Sequence, residues 1–209
     1  MKSRFIFDLD GTLLQWDGSI QEKYFKSIYP MDDALKILEN IHSCVDQYEL
    51  LYEKYDVNTL STYLTSATGV VVSDKVILGW IDAYNASVPI LIDGIEDVLK
   101  YLKSKGKSLV VLTNWFLKTQ AFRLEKAGIL KYFDAIYSGE IATKPHKESY
   151  LAAKGDYDIQ ECVMIGDNYL RDYMGALDAS MDAVLYDPNR KNTGIKNSIH
   201  DIRKLKEMF

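Results

Sequence analysis

The apolar positions of the chain follow two rhythms, with one change after the first strand-like run and another near residue 89. Phe5-Ile6-Phe7 is a short continuous apolar run that stops at Asp8-Leu9-Asp10-Gly11-Thr12. That is the pattern of a buried strand feeding a polar, glycine-containing loop. From about Ile20 to Ala86 apolar residues recur at helical spacing instead: Ala34, Leu35, Ile37, Leu38 and Ile41, then Val45, Tyr48, Leu51, Tyr52 and Tyr55. Asn58 to Leu64 and Asp74 to Tyr84 are further helix candidates, with Ser73 and Asp74 placed to cap the second. The stretch reads as all-helical.

After Pro89 helix and strand alternate. The pattern predicts helices over Ile95 to Lys105, Leu117 to Lys126, Glu148 to Ala153 and Tyr169 to Ala179, with Gly106 and Gly128 closing the first two. Between them Leu109 to Leu112, Ala135 to Tyr137, Cys162 to Ile165 and Ala183 to Tyr186 read as strands, and Ile199 to Met208 as a last helix. Such alternation predicts parallel strands joined by helical crossovers, an open α/β sheet covered on both faces. The predicted organisation is an α/β core of residues 1–16 and 89–209 with a helical insertion, residues 17–88.

Composition narrows the class further. A chain of 209 residues suits one domain with a sizeable insertion, and 47% apolar with 26% charged residues excludes disorder as a global description. Lys and Arg number 25 against 30 Asp and Glu, a formal charge of −5 that argues against a general nucleic-acid or anionic-membrane binder. Cys44 and Cys162 form neither a disulfide framework nor a metal-binding pair, which fits a reducing compartment. No apolar run is long enough to span a membrane. Met1 to Asp8 reaches a carboxylate too soon for a signal peptide, so a cytoplasmic protein is the expectation; the sequence does not fix the oligomeric state, and a monomer is the favoured expectation.

Ligands of open α/β sheets bind beyond the carboxyl ends of the strands. There the first strand delivers Asp8 and Asp10, the second Thr113 and Asn114, the third is followed by Lys144-Pro145, and the fourth delivers Gly166-Asp167 and then Asp172. Taken singly, each piece has a plain structural reading: an Asp-Gly turn, a helix cap, a solvated loop. Four polar pieces, each just beyond a predicted strand, point together to phosphate chemistry. Asp8, at the strand end, can attack phosphorus. Asp10, two residues on, can protonate the leaving oxygen and later deprotonate water. Three carboxylates would repel a phosphate dianion, so a divalent cation is needed, and Mg²⁺ suits a site of few protein carboxylates. Thr113, Asn114 and Lys144 are the candidates for holding phosphate oxygens.

These segments resemble the four motifs of the haloacid dehalogenase superfamily: Phe7 to Thr12 the first, Leu112-Thr113-Asn114 the second, Lys144-Pro145 the third, Gly166-Asp167 to Asp172 the fourth. The resemblance implies a Rossmann-like sheet, Mg²⁺-dependent phosphotransfer and a mobile helical cap of the type inserted between the first two motifs. It implies Asp8 as nucleophile and metal ligand, Asp10 as acid/base and ligand through its carbonyl, and Asp167 as metal ligand. Asp172 would act on metal-bound water or on Lys144. The chain departs from the family pattern at Arg171, where a small residue or Asn is usual, leaving solvent or Asp172 as its expected partner. Asp10 favours phosphate esters, because a halide leaves unprotonated. A small-molecule phosphate ester is therefore the expected partner, with a sugar phosphomutase or a non-catalytic phosphate binder as alternatives.

The insertion bears on specificity. Residues 17–88 hold eleven acids against five lysines and no arginine, a net −6 that leaves +1 for the rest of the chain. Such a segment is a poor partner for a second anionic group. Seven of the fifteen tyrosines also lie there, and Tyr48, Tyr52 and Tyr55 read as one helical stripe that packs in the core or walls a sugar or base. Trp16, past the first motif, and Trp115, after the second, read either as substrate contacts or as hinge and rim packing. His146 reads as a loop histidine or a leaving-group contact.

Overall fold

A computed structural model describes residues 1–209, with the side chains of all but Met31 and Asp32. Six strands form one sheet: β1 (Arg4–Phe7), β2 (Ser108–Leu112), β3 (Ala135–Tyr137), β4 (Cys162–Gly166), β5 (Asp182–Tyr186) and β6 (Ser198–Ile199). Their spatial order is β3-β2-β1-β4-β5-β6 and every pairing is parallel. This is the doubly wound, Rossmann-like arrangement, whose strand order reverses beside β1 and so opens a crevice at its carboxyl end. Registry is set by burial on both faces. Phe5 sits opposite Leu109 and Val163, and Ile6 opposite Val110 and Met164.

Because strand side chains alternate, Phe5, Phe7, Val111, Val163 and Ile165 enter one core layer. Ile6, Val110, Leu112 and Met164 enter the other. Helices α5 (Ile95–Ser104), α6 (Leu117–Lys126) and α9 (Leu205–Met208) cover the first layer with Ile95, Leu99, Leu124 and Leu205. Helices α7 (Lys147–Lys154) and α8 (Gly175–Asp178) cover the second with Tyr150, Ala153 and Ala176.

Between β1 and α5 come α1 (Ser19–Ile28), α2 (Met31–Leu51), α3 (Val57–Thr68) and α4 (Asp74–Ala83), which share their own core of Phe25, Ile41, Tyr48, Leu60, Leu64, Ile77 and Trp80. Asp56 caps α3 by accepting from the Thr59 N–H at 2.9 Å, a contact worth about 1 kcal/mol. None of the described helices is long and apolar enough to cross a membrane.

Three local expectations are corrected. Helix α2 stops at Leu51, so Tyr52 and Tyr55 lie beyond it. The backbone there turns to the sheet domain: the Glu53 carbonyl accepts from Thr143 N–H and the Tyr55 N–H donates to the Gly139 carbonyl, both at 2.7 Å. Tyr48 still stacks on Tyr52 at 4.4 Å and meets Tyr55 at 5.3 Å, but around a turn rather than along one helix. At the carboxyl end, Ser198–Ile199 pairs with β5 as an edge strand, and a 3-10 turn at Ile202–Lys204 precedes α9. Finally, Tyr169–Met174 is wound as a π-turn before α8, a distortion that recurs at functional sites.

Candidate active site

The carboxyl ends of β1, β2 and β4 bring the predicted acids and their partners to one crevice. Asp8 extends β1 by one residue, its N–H donating to the Ile165 carbonyl at 2.9 Å, and its carboxylate is buried at the crevice floor. Lys144 Nζ lies 2.6 Å from both Asp8 Oδ1 and Asp172 Oδ1, and is itself buried. Asp172 is fixed further by the Asn168 N–H, which donates to its Oδ2 at 2.9 Å. Two glycines make this crowding possible. A Cβ at Gly166 would lie 2.2 Å from the Asp172 carboxyl carbon, and one at Gly11, where φ is +77°, would lie 2.3 Å from Asp167 Oδ2.

Asn114, expected among the phosphate ligands, is engaged otherwise. Its Oδ1 accepts from the Lys144 N–H at 2.8 Å and its Nδ2 donates to the Lys144 carbonyl at 3.0 Å. A side-chain amide presents one donor and one acceptor face, and this pairing clamps the backbone that carries Lys144. Thr113 stays at the rim with its hydroxyl accepting from Gln120 Nε2 at 3.0 Å.

Oxygens of Asp8, Asp167 and Asp172 lie within 4.8 Å of one another. Burial drives the Asp8 carboxyl well above the usual carboxylate range; Lys144 opposes the shift, while Asp172 and Asp167 add to it. Burial also opposes the charge on Lys144, but Asp172 and Asp8 outweigh it and raise the ammonium above its ordinary value. One ammonium against three clustered carboxylates leaves an excess of negative charge on hard oxygen donors. That donor set fits Mg²⁺.

Two arginines complete the site: Arg123, which the sequence reading did not single out, and Arg171, whose surroundings differ from those expected. Arg123 of α6 grips Asp10 at two points, Nη1 to Oδ2 at 2.9 Å and Nη2 to Oδ1 at 2.5 Å. Arg171 turns neither to solvent nor to Asp172. It reaches α2, where Nε lies 2.7 Å from Glu49 Oε2 and Nη2 contacts Asp46 Oδ1. The one trace of Arg123 in the sequence is its company: Thr119, Gln120 and Arg123 are polar residues on the buried face of α6. His146 is a loop residue whose Nε2 pairs with the Glu49 carbonyl at 3.0 Å.

Above this floor opens a cavity of about 380 Å³. From the helical side it is lined by Gln21, His42, Asp46, Glu49, Trp80 and Tyr84, and all three tryptophans of the chain border it. Of the two candidate contacts, Trp16 is half exposed at the mouth. Trp115 takes φ +80°, a backbone state that costs a non-glycine residue about 1–3 kcal/mol, and its ring packs 4.6 Å from Trp80. Gln21 donates to the Tyr84 hydroxyl and pairs with His42, so the cavity's far end is aromatic and hydrogen-bonding.

The family described as haloacid dehalogenase-like hydrolase matches residues 3–180. Among curated proteins, the chain is similar to a ribulose-1,5-bisphosphate 5-phosphatase of Halopiger xanaduensis, 25% identical over 112 residues, 52% of this chain and 47% of that protein. It thus spans about half the length of that relative. It is also similar to the pyrimidine 5'-nucleotidase PynA of Streptococcus pneumoniae, 26% identical over 205 residues, 88% of this chain and 83% of that one. Among solved structures it resembles the magnesium-bound HAD-hydrolase YfnB of Bacillus subtilis, with a TM-score of 0.79 and 20% identity over 99% of this chain and 98% of that one. An L-2-haloacid dehalogenase from Xanthobacter autotrophicus matches with a TM-score of 0.75 and 16% identity over 100% of this chain and 98% of that one. These structural likenesses speak to the fold alone, which phosphatases and dehalogenases share.

Proposed function

The chain belongs to the haloacid dehalogenase-like hydrolase family, as a phosphatase-type enzyme, and from that premise we propose that it is a Mg²⁺-dependent hydrolase of small phosphate monoesters. In this reading Asp8 is the nucleophile and Asp10 the acid/base. Thr113 and Lys144 hold phosphate oxygens; Asp8, Asp167 and the Asp10 carbonyl hold the metal, with Asp172 behind them. Residues 1–16 and 89–209 act as the core, and residues 17–88 as the cap. The observation that carries it is Asp8 at the strand end with Lys144 at 2.6 Å and Asp10 two residues further on, forked by Arg123.

Bound Mg²⁺ would neutralise phosphate oxygens and draw electron density from phosphorus. The chain's own residues do the rest. An Asp8 carboxylate oxygen attacks phosphorus while the ester oxygen leaves with the Asp10 proton, giving an aspartyl-phosphate and a free alcohol. Asp10, now a carboxylate, takes a proton from water as that water attacks phosphorus, releasing phosphate and restoring Asp8. Lys144 meets the charge that spreads over the equatorial oxygens.

For substrate, the cavity favours a simple sugar phosphate or a nucleoside monophosphate. Its cationic lining residues are Lys144, Arg123 and Arg171, and each is already paired with a carboxylate. A second anion on the leaving group would be desolvated beside Asp46 and Glu49 without a free cation. An aromatic or hydroxyl-bearing group would meet Trp80, Trp115, Gln21 and His42 instead. A phosphate-ester panel at fixed Mg²⁺ and pH tests this, with the highest kcat/KM expected on nucleoside or simple sugar monophosphates. An optimum on phosphoglycolate or a sugar bisphosphate would overturn the substrate argument. Bisphosphate-activated isomerisation without phosphate release would replace the hydrolase with a mutase.

A further inference from the structure

Arg123 is a buried arginine that no metal or phosphate role requires. It stands on α6, behind the rim, and its guanidinium closes a fork on Asp10 at 2.9 and 2.5 Å. Nη1 also donates to Gln120 Oε1 at 3.0 Å, and Gln120 Nε2 in turn donates to Thr113 Oγ1 at 3.0 Å. On its other side the guanidinium lies 5.5 Å from the Tyr84 ring centroid, which gives it a fixed aromatic support. The arginine is thus held on several sides before it holds anything.

Asp10 is held by little else. Among the described residues its carboxylate has no other hydrogen-bond partner, and about a quarter of the side chain faces the open cavity. Without the fork its carboxylate would be free to turn among staggered rotamers, only some of which meet the leaving oxygen. A carboxylate offers about four lone-pair positions, and a two-point fork takes two, leaving the others for proton transfer. The fork therefore aims Asp10 without blocking it.

Resting on the phosphatase reading above, we propose that Arg123 is the positioning residue of the acid/base: it fixes the Asp10 carboxylate toward the leaving oxygen. Gln120 ties that aim to Thr113, on the phosphate side of the site. The geometry needs a planar two-donor group, which lysine cannot copy although it keeps the charge. The reaction uses the fork where Asp10 gives its proton to the ester oxygen as the P–O bond breaks, and where it takes one from water as the Asp8–phosphate bond is cleaved.

The test is kcat/KM for two esters on Arg123→Met and Arg123→Lys: p-nitrophenyl phosphate, whose leaving group departs without a proton, and an alkyl phosphate that the wild type turns over. Because kcat/KM reports steps through phosphoenzyme formation, the aryl ester hardly registers Asp10. Both variants are expected to lose about tenfold more on the alkyl ester than on the aryl ester, a loss of proper orientation. The ratio is taken within one preparation, so partial unfolding cancels. Equal losses on both esters would reduce Arg123 to a structural residue. A wild-type ratio in Arg123→Lys would show that charge suffices and would overturn the positioning argument. If the wild type hydrolyses neither ester with Mg²⁺, the phosphatase reading itself fails.

Discussion

Arg171→Met tests how the helical insertion is held over the crevice. In the structure the guanidinium of Arg171 spans from the π-turn to α2, meeting Glu49 at 2.7 Å and Asp46 beside it. Glu49 is buried, and its other oxygen accepts from the Tyr55 hydroxyl at 2.6 Å. Removing one member of a buried pair typically costs 3–5 kcal/mol, because the other charge is stranded. Here the Tyr55 hydroxyl remains and Arg171 is about a quarter exposed, which places the loss near the low end, about 3 kcal/mol. For a chain of this length that corresponds to a fall of roughly 6–12 °C in Tm. Burial already raises the Glu49 carboxyl from 4.5, while Arg171 and the Tyr55 hydroxyl pull it down. Losing the guanidinium raises it further. A carboxyl whose folded pKa exceeds its unfolded one has no effect below the unfolded value, weakens the fold increasingly as pH rises from there, and does so in full above the folded value. The deficit of Arg171→Met should therefore be greatest at alkaline pH and shrink as pH falls toward 4.5. Thermal melts across that range, with Glu49→Gln added to relieve the stranded charge, supply the assay. An unchanged Tm, or a deficit equal at every pH and untouched by Glu49→Gln, would refute the argument.

Three further substitutions probe the chemistry and the metal. Asp8→Asn should abolish turnover and phosphoenzyme formation, since an amide is a far weaker nucleophile, and Asp10→Asn should still form phosphoenzyme from an aryl phosphate but hydrolyse it slowly. Full turnover in either would refute the assigned roles. Asp167→Ala should raise the half-saturating Mg²⁺ concentration about tenfold or more, equivalent to about 1.4 kcal/mol of binding, with an unchanged melt in metal-free buffer. Ca²⁺ should inhibit, because its larger and looser coordination shell suits the attack geometry poorly; equal activity with both ions would count against the site.

Beyond residue 89 the strands β2, β4 and β5 were legible because each is a short apolar run buried almost throughout, the pattern of a parallel sheet covered on both faces. Their ends then placed the acids. Where periodicity misled, the backbone had a competing partner. Tyr52 and Tyr55 continue the apolar spacing of α2, yet the Glu53 carbonyl and Tyr55 N–H bond to the loops around Thr143 and Gly139 instead of to helix neighbours. Side-chain spacing carries no information about that choice. Ser198–Ile199 failed for a related reason: two residues are too few to show alternation, and β5 decides their state.

The charges of the site divide along the same line. Asp8 and Asp167 announce themselves because each follows a strand directly, and Asp10 and Lys144 because they lie in the loops that leave β1 and β3. Arg123 and Arg171 lie one helical turn or more downstream, where a basic residue usually means a solvated face. The buried stripe of α6 could have exposed Arg123, because Thr119, Gln120 and Arg123 occupy positions that a purely structural helix would give to apolar side chains. Nothing comparable marks Arg171, whose partners Asp46 and Glu49 sit on a helix more than a hundred residues away. The segment charge of −6 therefore described the insertion correctly and its field incompletely. Part of that charge is neutralised from across the crevice by Arg171, which is paired with Asp46 and Glu49. On the proposed reading, a second anion on the substrate would have to break a 2.7 Å contact backed by a buried tyrosine before it met Arg171, a cost that an uncharged leaving group would not meet.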